Sequence, residues 1–144
     1  MRNALKLVAP LAIAVIVAGC ATSGLKYSDA KGPAAASDPN LGRIYMYRTA
    51  IVGLAVQPEV KINGEVIGRA TPKGYFYVDR PAGTYEITTT TEVERKLSLT
   101  LDKGQTRYVK LNISFGFFIG HVYPELIDTD AALKDIKDLQ YTGQ

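Results

Sequence analysis

The chain is expected to fold as a mainly β protein, an antiparallel β-sandwich with one short C-terminal helix, preceded by a signal peptide and a flexible tether. Three observations lead there. From about residue 41 onward apolar residues recur every second position in short runs separated by Gly, Pro, Asn and Asp. The last twenty residues switch to helical spacing. The first nineteen carry two basic residues, no acid and an apolar stretch. Length and composition agree: 144 residues support a single domain, and 47% apolar with 22% charged residues is a globular balance that excludes collagen-like, coiled-coil and disordered chains.

The elements follow in order. Arg2 and Lys6 open the chain, and an apolar run from Leu7 to Ala18 is broken only by Pro10. At about a dozen residues it is too short for a spanning helix, which needs about 20. Residues 1–19 therefore read as a signal peptide. Removing them takes away Arg2 and Lys6 and no acid, so the remaining chain has 15 basic and 14 acidic residues rather than 17 and 14. The apparent basicity is largely an export signal. Residues 20–40 are rich in Ala, Ser, Gly, Asp and Pro, with Leu25 and Tyr27 as the only large apolar side chains, too few to offset the entropy of ordering. They read as a flexible linker.

Residues 41–144 form the domain. Arg43 to Arg48 alternates Ile44 and Met46 with Tyr45 and Tyr47. Glu59 to Asn63 and Glu65 to Arg69 flank Asn63-Gly64, the dipeptide of a two-residue hairpin. Gly74 to Asp79 sets Phe76 and Val78 opposite Tyr75 and Tyr77, and Arg80-Pro81-Ala82-Gly83 turns into the β-branched run Thr84 to Thr91. Leu97, Leu99 and Leu101 form a half-buried strand, Asp102 to Gln105 a turn, and Val109, Leu111 and Ile113 the next strand. Asp128-Thr129-Asp130 offers N-capping oxygens ahead of Ala132, Leu133, Ile136 and Leu139, with Lys134, Asp135, Lys137 and Asp138 on the outer side of the helix.

Two stretches carry resemblances. Val17-Ala18-Gly19-Cys20 resembles the lipobox of bacterial lipoproteins, where cleavage falls between Gly19 and Cys20. Small side chains suit the peptidase, and only a thiol can take a diacylglycerol as thioether. That resemblance implies S-diacylglycerol and N-palmitoyl groups on Cys20, hence membrane lipid as a partner. Ala21 stands where lipoproteins retained in the inner membrane often have Asp, which favours the outer membrane, facing the periplasm. An ordinary signal peptide with a chance cysteine is the plainer reading. Val60-Lys-Ile-Asn-Gly-Glu-Val-Ile-Gly68, Thr71-Pro72 and Pro81-Ala-Gly-Thr-Tyr85 resemble the PEGA-type pattern, and with the terminal helix the chain resembles a bacterial domain-of-unknown-function family, number 2846, over about residues 41–140. The resemblance implies a small β-sandwich and no particular chemistry.

Catalysis has little to stand on. A lone cysteine excludes internal disulfides and paired-thiolate zinc sites. His121, with Glu125, Asp128 and Asp130 nearby, is a thin ligand set, and no serine sits in a Gly-x-Ser-x-Gly turn. No metal, cofactor or catalytic residue is expected, and scattered Lys and Arg argue against nucleic acid. Tyr75 and Tyr77 are the candidate binding face, since tyrosine covers sugar rings and interfaces well; the bland alternative is a second core face. Phe115 to Ile119 is either a docking patch or a buried strand. The expected role is a non-enzymatic envelope module contacting another envelope protein or the cell wall, with glycan or peptidoglycan-fragment binding as the alternative and a hydrolase as a weaker third.

Overall fold

A computed structural model describes residues 24–30, 35–91, 94–115 and 120–143. The signal peptide, Gly19 and Cys20 lie outside the described residues, as do residues 116–119.

Among the described residues nine strands make two packed sheets: β1 Leu41–Tyr47, β2 Glu59–Ile62, β3 Glu65–Arg69, β4 Gly74–Pro81, β5 Gly83–Thr89, β6 Arg95–Leu101, β7 Thr106–Phe115, β8 Gly120–Ile127 and β9 Gln140–Tyr141, with helix α1 at Thr129–Ile136 between the last two. One sheet has the order β8-β7-β1-β4-β9 and the other β3-β2-β5-β6. The mainly β, two-sheet expectation holds. The antiparallel expectation holds for the smaller sheet only, because β1 pairs in parallel with β7, and β4 with β9. Alternation along one strand cannot reveal this. The chain leaves the first sheet after β4, builds β5 and β6 in the other, and returns as β7 on the free side of β1.

Between the sheets lies an aliphatic core in which Ile44, Met46, Val109 and Leu111 meet Val60, Ile87, Leu99 and Leu101, with Phe76 alongside. The β2–β3 hairpin turns at Asn63 (φ 49°) and Gly64 (φ 86°), the left-handed pair that the Asn-Gly dipeptide tolerates. Asn63 also fastens the turn to β5: its amide nitrogen donates to the Glu86 carbonyl at 2.8 Å, and its side-chain oxygen accepts from the Glu86 amide at 2.8 Å. Tyr85 donates its hydroxyl back to the Pro81 carbonyl at 2.8 Å, closing the corner between β4 and β5. Pro124 is tolerated inside β8 because that strand is a sheet edge.

Burial extends to the other face of β1, where α1 covers the larger sheet with Ala132 and Ile136, and Leu139 follows just past the helix. Leu133, expected inward, is 38% exposed. Asp135, expected on the outer side, is half-buried and accepts from Lys110 Nζ at 2.7 Å and the Tyr47 hydroxyl at 3.2 Å. Asp128 precedes α1 in extended geometry without a side-chain capping bond.

The linker is also partly absorbed. The Tyr27 and Ser28 amides donate to the Leu139 and Lys137 carbonyls, each at 3.0 Å, and the Tyr141 amide donates to the Leu25 carbonyl at 2.9 Å. Tyr27 packs among the tyrosines of the larger sheet. One aromatic side chain, three backbone bonds and a bridge between Lys26 and Gln140 supply what composition alone did not suggest.

Arg48, the first residue past β1, is fully buried. Its Nη1 donates to the Val56 and Ala70 carbonyls at 2.6 and 2.9 Å, and its Nη2 to the Val52 and Gly53 carbonyls at 2.8 and 3.1 Å. Burial pulls its pKa below the ordinary guanidinium value. Arg48→Met should therefore cost about 2–3 kcal/mol in chemical denaturation by orphaning those carbonyls; a loss within error would mean that water replaces the guanidinium. Gly64→Ala is the contrasting case. Nothing lies within 4 Å of an added Cβ, so only the left-handed φ resists it. A loss of about 1 kcal/mol is expected in the same assay.

Candidate functional site

The tyrosines come together because of register. Tyr45 of β1 stands opposite Tyr77 of β4 and Tyr108 of β7, and Tyr47 stands opposite Tyr75. These are cross-strand neighbours on one face. Tyr45 stacks on Tyr108 with centroids 5.2 Å apart and planes 9° from parallel, and meets Tyr77 at 5.4 Å. Tyr27 drops onto the group edge-on, 5.6 Å from Tyr45 and 5.5 Å from Tyr75. Tyr141 closes the far side against Tyr75 and Tyr77.

This arrangement corrects the expectation of an open binding face at Tyr75 and Tyr77. Tyr75 is 3% exposed and Tyr77 half-buried, because Tyr27, Tyr141, α1 and Leu139 occupy the surface that a ligand would need. The tyrosines form a second core, as the plainer reading had it. Arg43 completes it from the end of β1. Its guanidinium grips Asp79 through two bonds, Nε to Oδ1 at 2.7 Å and Nη2 to Oδ2 at 2.9 Å, and lies 3.8 Å from the centre of the Tyr77 ring. The Asp79 hydrogen bond holds the Arg43 pKa above its ordinary value.

Other candidates separate. His121 and Glu125 share β8, with alternate residues between them, so about 13 Å of strand separates them. His121 has Thr91 Oγ1 3.5 Å from its Nδ1, and Glu125 accepts from Asn112 Nδ2 at 2.6 Å. Among the described residues no group of three or more His, Cys, Asp or Glu is placed to hold a metal. A cleft of about 450 Å³ lies at the open edge of the sandwich, where Val66, Ile67 and Gly68 of β3 face Phe76 and Val78 of β4 and Tyr141 of β9. Gly68 keeps it open on one side, since a Cβ there would lie 2.8 Å from the Phe76 ring.

One apolar surface joins a loop that was not expected to Phe115, for which exposure was one of two readings. Ile51, Val52 and Leu54 in the loop after β1 are 55%, 59% and 61% exposed, and Phe115 at the tip of β7 is 64% exposed. Phe115 thus stands in the open rather than in a buried strand; the rest of that segment lies outside the described residues. Residues 49–58 contain no charge and do not alternate, and this was the available signal.

These features define a β-sandwich with two internal cores and an apolar end, a scaffold without an assembled catalytic group among the described residues. The chain belongs to the family of proteins of unknown function DUF2846, whose model matches residues 38–122. It is also similar to an uncharacterized protein of Haemophilus influenzae, 23% identical over 133 residues that cover 90% of this chain and 79% of that one. No solved structure matches the chain.

The second core makes stability pH-dependent at the alkaline end. Burial pushes the Tyr75 hydroxyl up to about 12 from an ordinary 10, and raises Tyr27, Tyr45 and Tyr47 too. Above pH 10 the unfolded chain releases protons that the folded chain still holds, so this contribution, complete below pH 10, falls as pH rises toward 12. Urea midpoints between pH 8 and 11.5 should fall steeply above 10, and less steeply in Tyr75→Phe; an unchanged slope in that variant would remove Tyr75 from the account.

Proposed function

We propose that the protein is a lipid-anchored module of the bacterial envelope, held in the outer membrane through Cys20 and acting by contact on the periplasmic side rather than by catalysis. The observation that carries this reading is the position of the sole cysteine: Val17-Ala18-Gly19-Cys20 ends a basic, then apolar, segment of signal-peptide order. About three acyl chains at one residue give firm anchoring where a single chain binds only marginally, each buried CH₂ adding about 0.8 kcal/mol.

The contact role draws its support from how the domain uses its polar and aromatic side chains. Arg43 and Asp79 engage each other, Asp135 engages Lys110 and Tyr47, and the tyrosines engage one another. A glycan stacked on Tyr75 and Tyr77 would have to displace α1 and Tyr27, which counts against sugar recognition at that face.

Replacing Cys20 with Ala is the direct test. Wild-type protein from cells fed a labelled fatty acid should carry the label and fractionate with outer membranes, whereas Cys20→Ala should lose the label and either stay unprocessed or appear in the soluble periplasm. Lipid labelling that persists in Cys20→Ala would defeat the assignment.

A further inference from the structure

The docked N-terminal segment has a direction as well as a place. Lys26 pairs antiparallel with Gln140, and the Tyr141 amide donates to the Leu25 carbonyl at 2.9 Å. Since β9 runs parallel to β4, the chain traced back from Tyr27 to Gly24 follows β4 from its Gly74 end toward Pro81. Gly24 abuts the Tyr141 backbone. Tyr141, Thr142 and Gly143 in turn line the cleft between the sheets, together with Val66 and Arg69 of β3. Gly24 therefore stands at the open flank of the sandwich, where β3 ends one sheet and β9 the other.

Cys20 lies four residues before Gly24, so it stays within about 14 Å of it whatever path those residues take. On the lipid-anchor reading, on which this inference rests, Cys20 sits at the bilayer surface. That surface must then pass close to Gly24. The opposite border is well removed: β8 lies four strands from β9, and β6 three strands from β3, roughly 19 and 14 Å across at about 4.8 Å per strand.

The open flank also has side chains suited to an interface. Leu25 and Val66 are 68% and 50% exposed. Lys26 and Lys73 stand on either side of Gln140, the first through its bridge and the second through a carbonyl that accepts the Gln140 amide at 3.0 Å. Both lysines are exposed and make no ion pair among the described residues. Asp29 nearby, and the Arg69–Glu59 and Arg80–Glu65 pairs, keep the net charge small, so the tether rather than the field decides how the domain lies.

We propose that the β3–β9 flank is the membrane-facing side of the domain, held down by the four-residue tether, with Leu25 and Val66 against the headgroup region. The strands then lie along the bilayer, and the β6–β8 border turns toward the periplasm. The apolar end at Ile51, Val52 and Leu54 faces sideways, clear of the surface that holds the anchor.

Cys20 is the sole cysteine and the anchor occupies its thiol, so an introduced cysteine takes a thiol-reactive fluorophore at one site. Full-length protein purified from membranes, carrying Val66→Cys, Arg69→Cys or the controls Ser98→Cys and Glu125→Cys, is reconstituted into phosphatidylethanolamine/phosphatidylglycerol vesicles doped with a headgroup-nitroxide lipid. All four replaced side chains are exposed, and urea midpoints check the fold. Probes at 66 and 69 should lose about half of their emission, as expected at the bilayer interface, while those at 98 and 125 stay unquenched. Equal quenching at all four positions, or stronger quenching at 98 or 125, overturns the proposal. Inserting about twelve Gly/Ser residues between Ser23 and Gly24 adds roughly 20 Å of flexible reach and should erase the contrast; a contrast that survives overturns the tether as its cause. The acyl mass on Cys20, measured on the same samples, separates the two readings. Acylation without contrast sinks the orientation and keeps the anchor, whereas an unacylated Cys20 sinks the anchor and the tether with it.

Discussion

Strand β1 has no solvent face. From Gly42 through Tyr47 every residue is buried, and Arg48 follows them in. One side, Ile44 and Met46, needs an apolar sheet against it, and the smaller sheet supplies that. The other, Tyr45 and Tyr47, needs a cover of a different kind, and α1, Leu139 and Tyr27 supply it from opposite ends of the chain. A strand buried on both faces must also be paired along both edges, which β4 and β7 accomplish. Layer order, helix placement and docking of the N-terminal segment all follow from that one demand.

The ends of β1 show two ways of keeping a guanidinium out of water. Arg43 has a counter-ion, Asp79, in a fork that matches the carboxylate, and a tyrosine ring beneath it. Arg48 has carbonyl dipoles from three stretches of chain. The first arrangement locks neighbouring strands β1 and β4. The second gathers a loop that has no regular structure, giving it a shape that its own apolar side chains could not impose. Arginine suits both positions because its several donors lie in one plane and its charge persists when buried.

Much of this architecture was legible in the sequence, and the illegible parts have specific causes. The Asn63-Gly64 hairpin was readable because turn chemistry is local. The C-terminal helix was readable because Ala132 and Ile136 recur four residues apart on one face, behind a cluster of capping residue types. The parallel β1–β7 pair was not, since it depends on which edge of β1 remains open once β4 has paired. The fate of the tyrosines was ambiguous for a related reason. Alternation of Tyr with Ile and Met shows two faces but not what covers either, and the cover came from a helix more than eighty residues away and from Tyr27 in a stretch too polar to suggest docking. Of the candidate residues, Cys20 rests on its place in the sequence and lies outside the described residues, whereas the apolar loop at residues 51–54 has neither alternation nor helical period and drew no attention.

The stitch between the two ends of the chain acts as a length setting. While Leu25, Tyr27 and Ser28 remain bonded to the segment from Lys137 to Tyr141, only four residues separate the cysteine from the fold. Tension applied at the N-terminus would load these edge bonds first and in succession, since they sit at the border of the sheet and not across its centre. Once they part, the leash runs from Cys20 to Leu41, about 70 Å at full stretch. Under the proposed anchoring through Cys20, the domain would have a short reach at rest and a long one under load, with the β1 core untouched in either state.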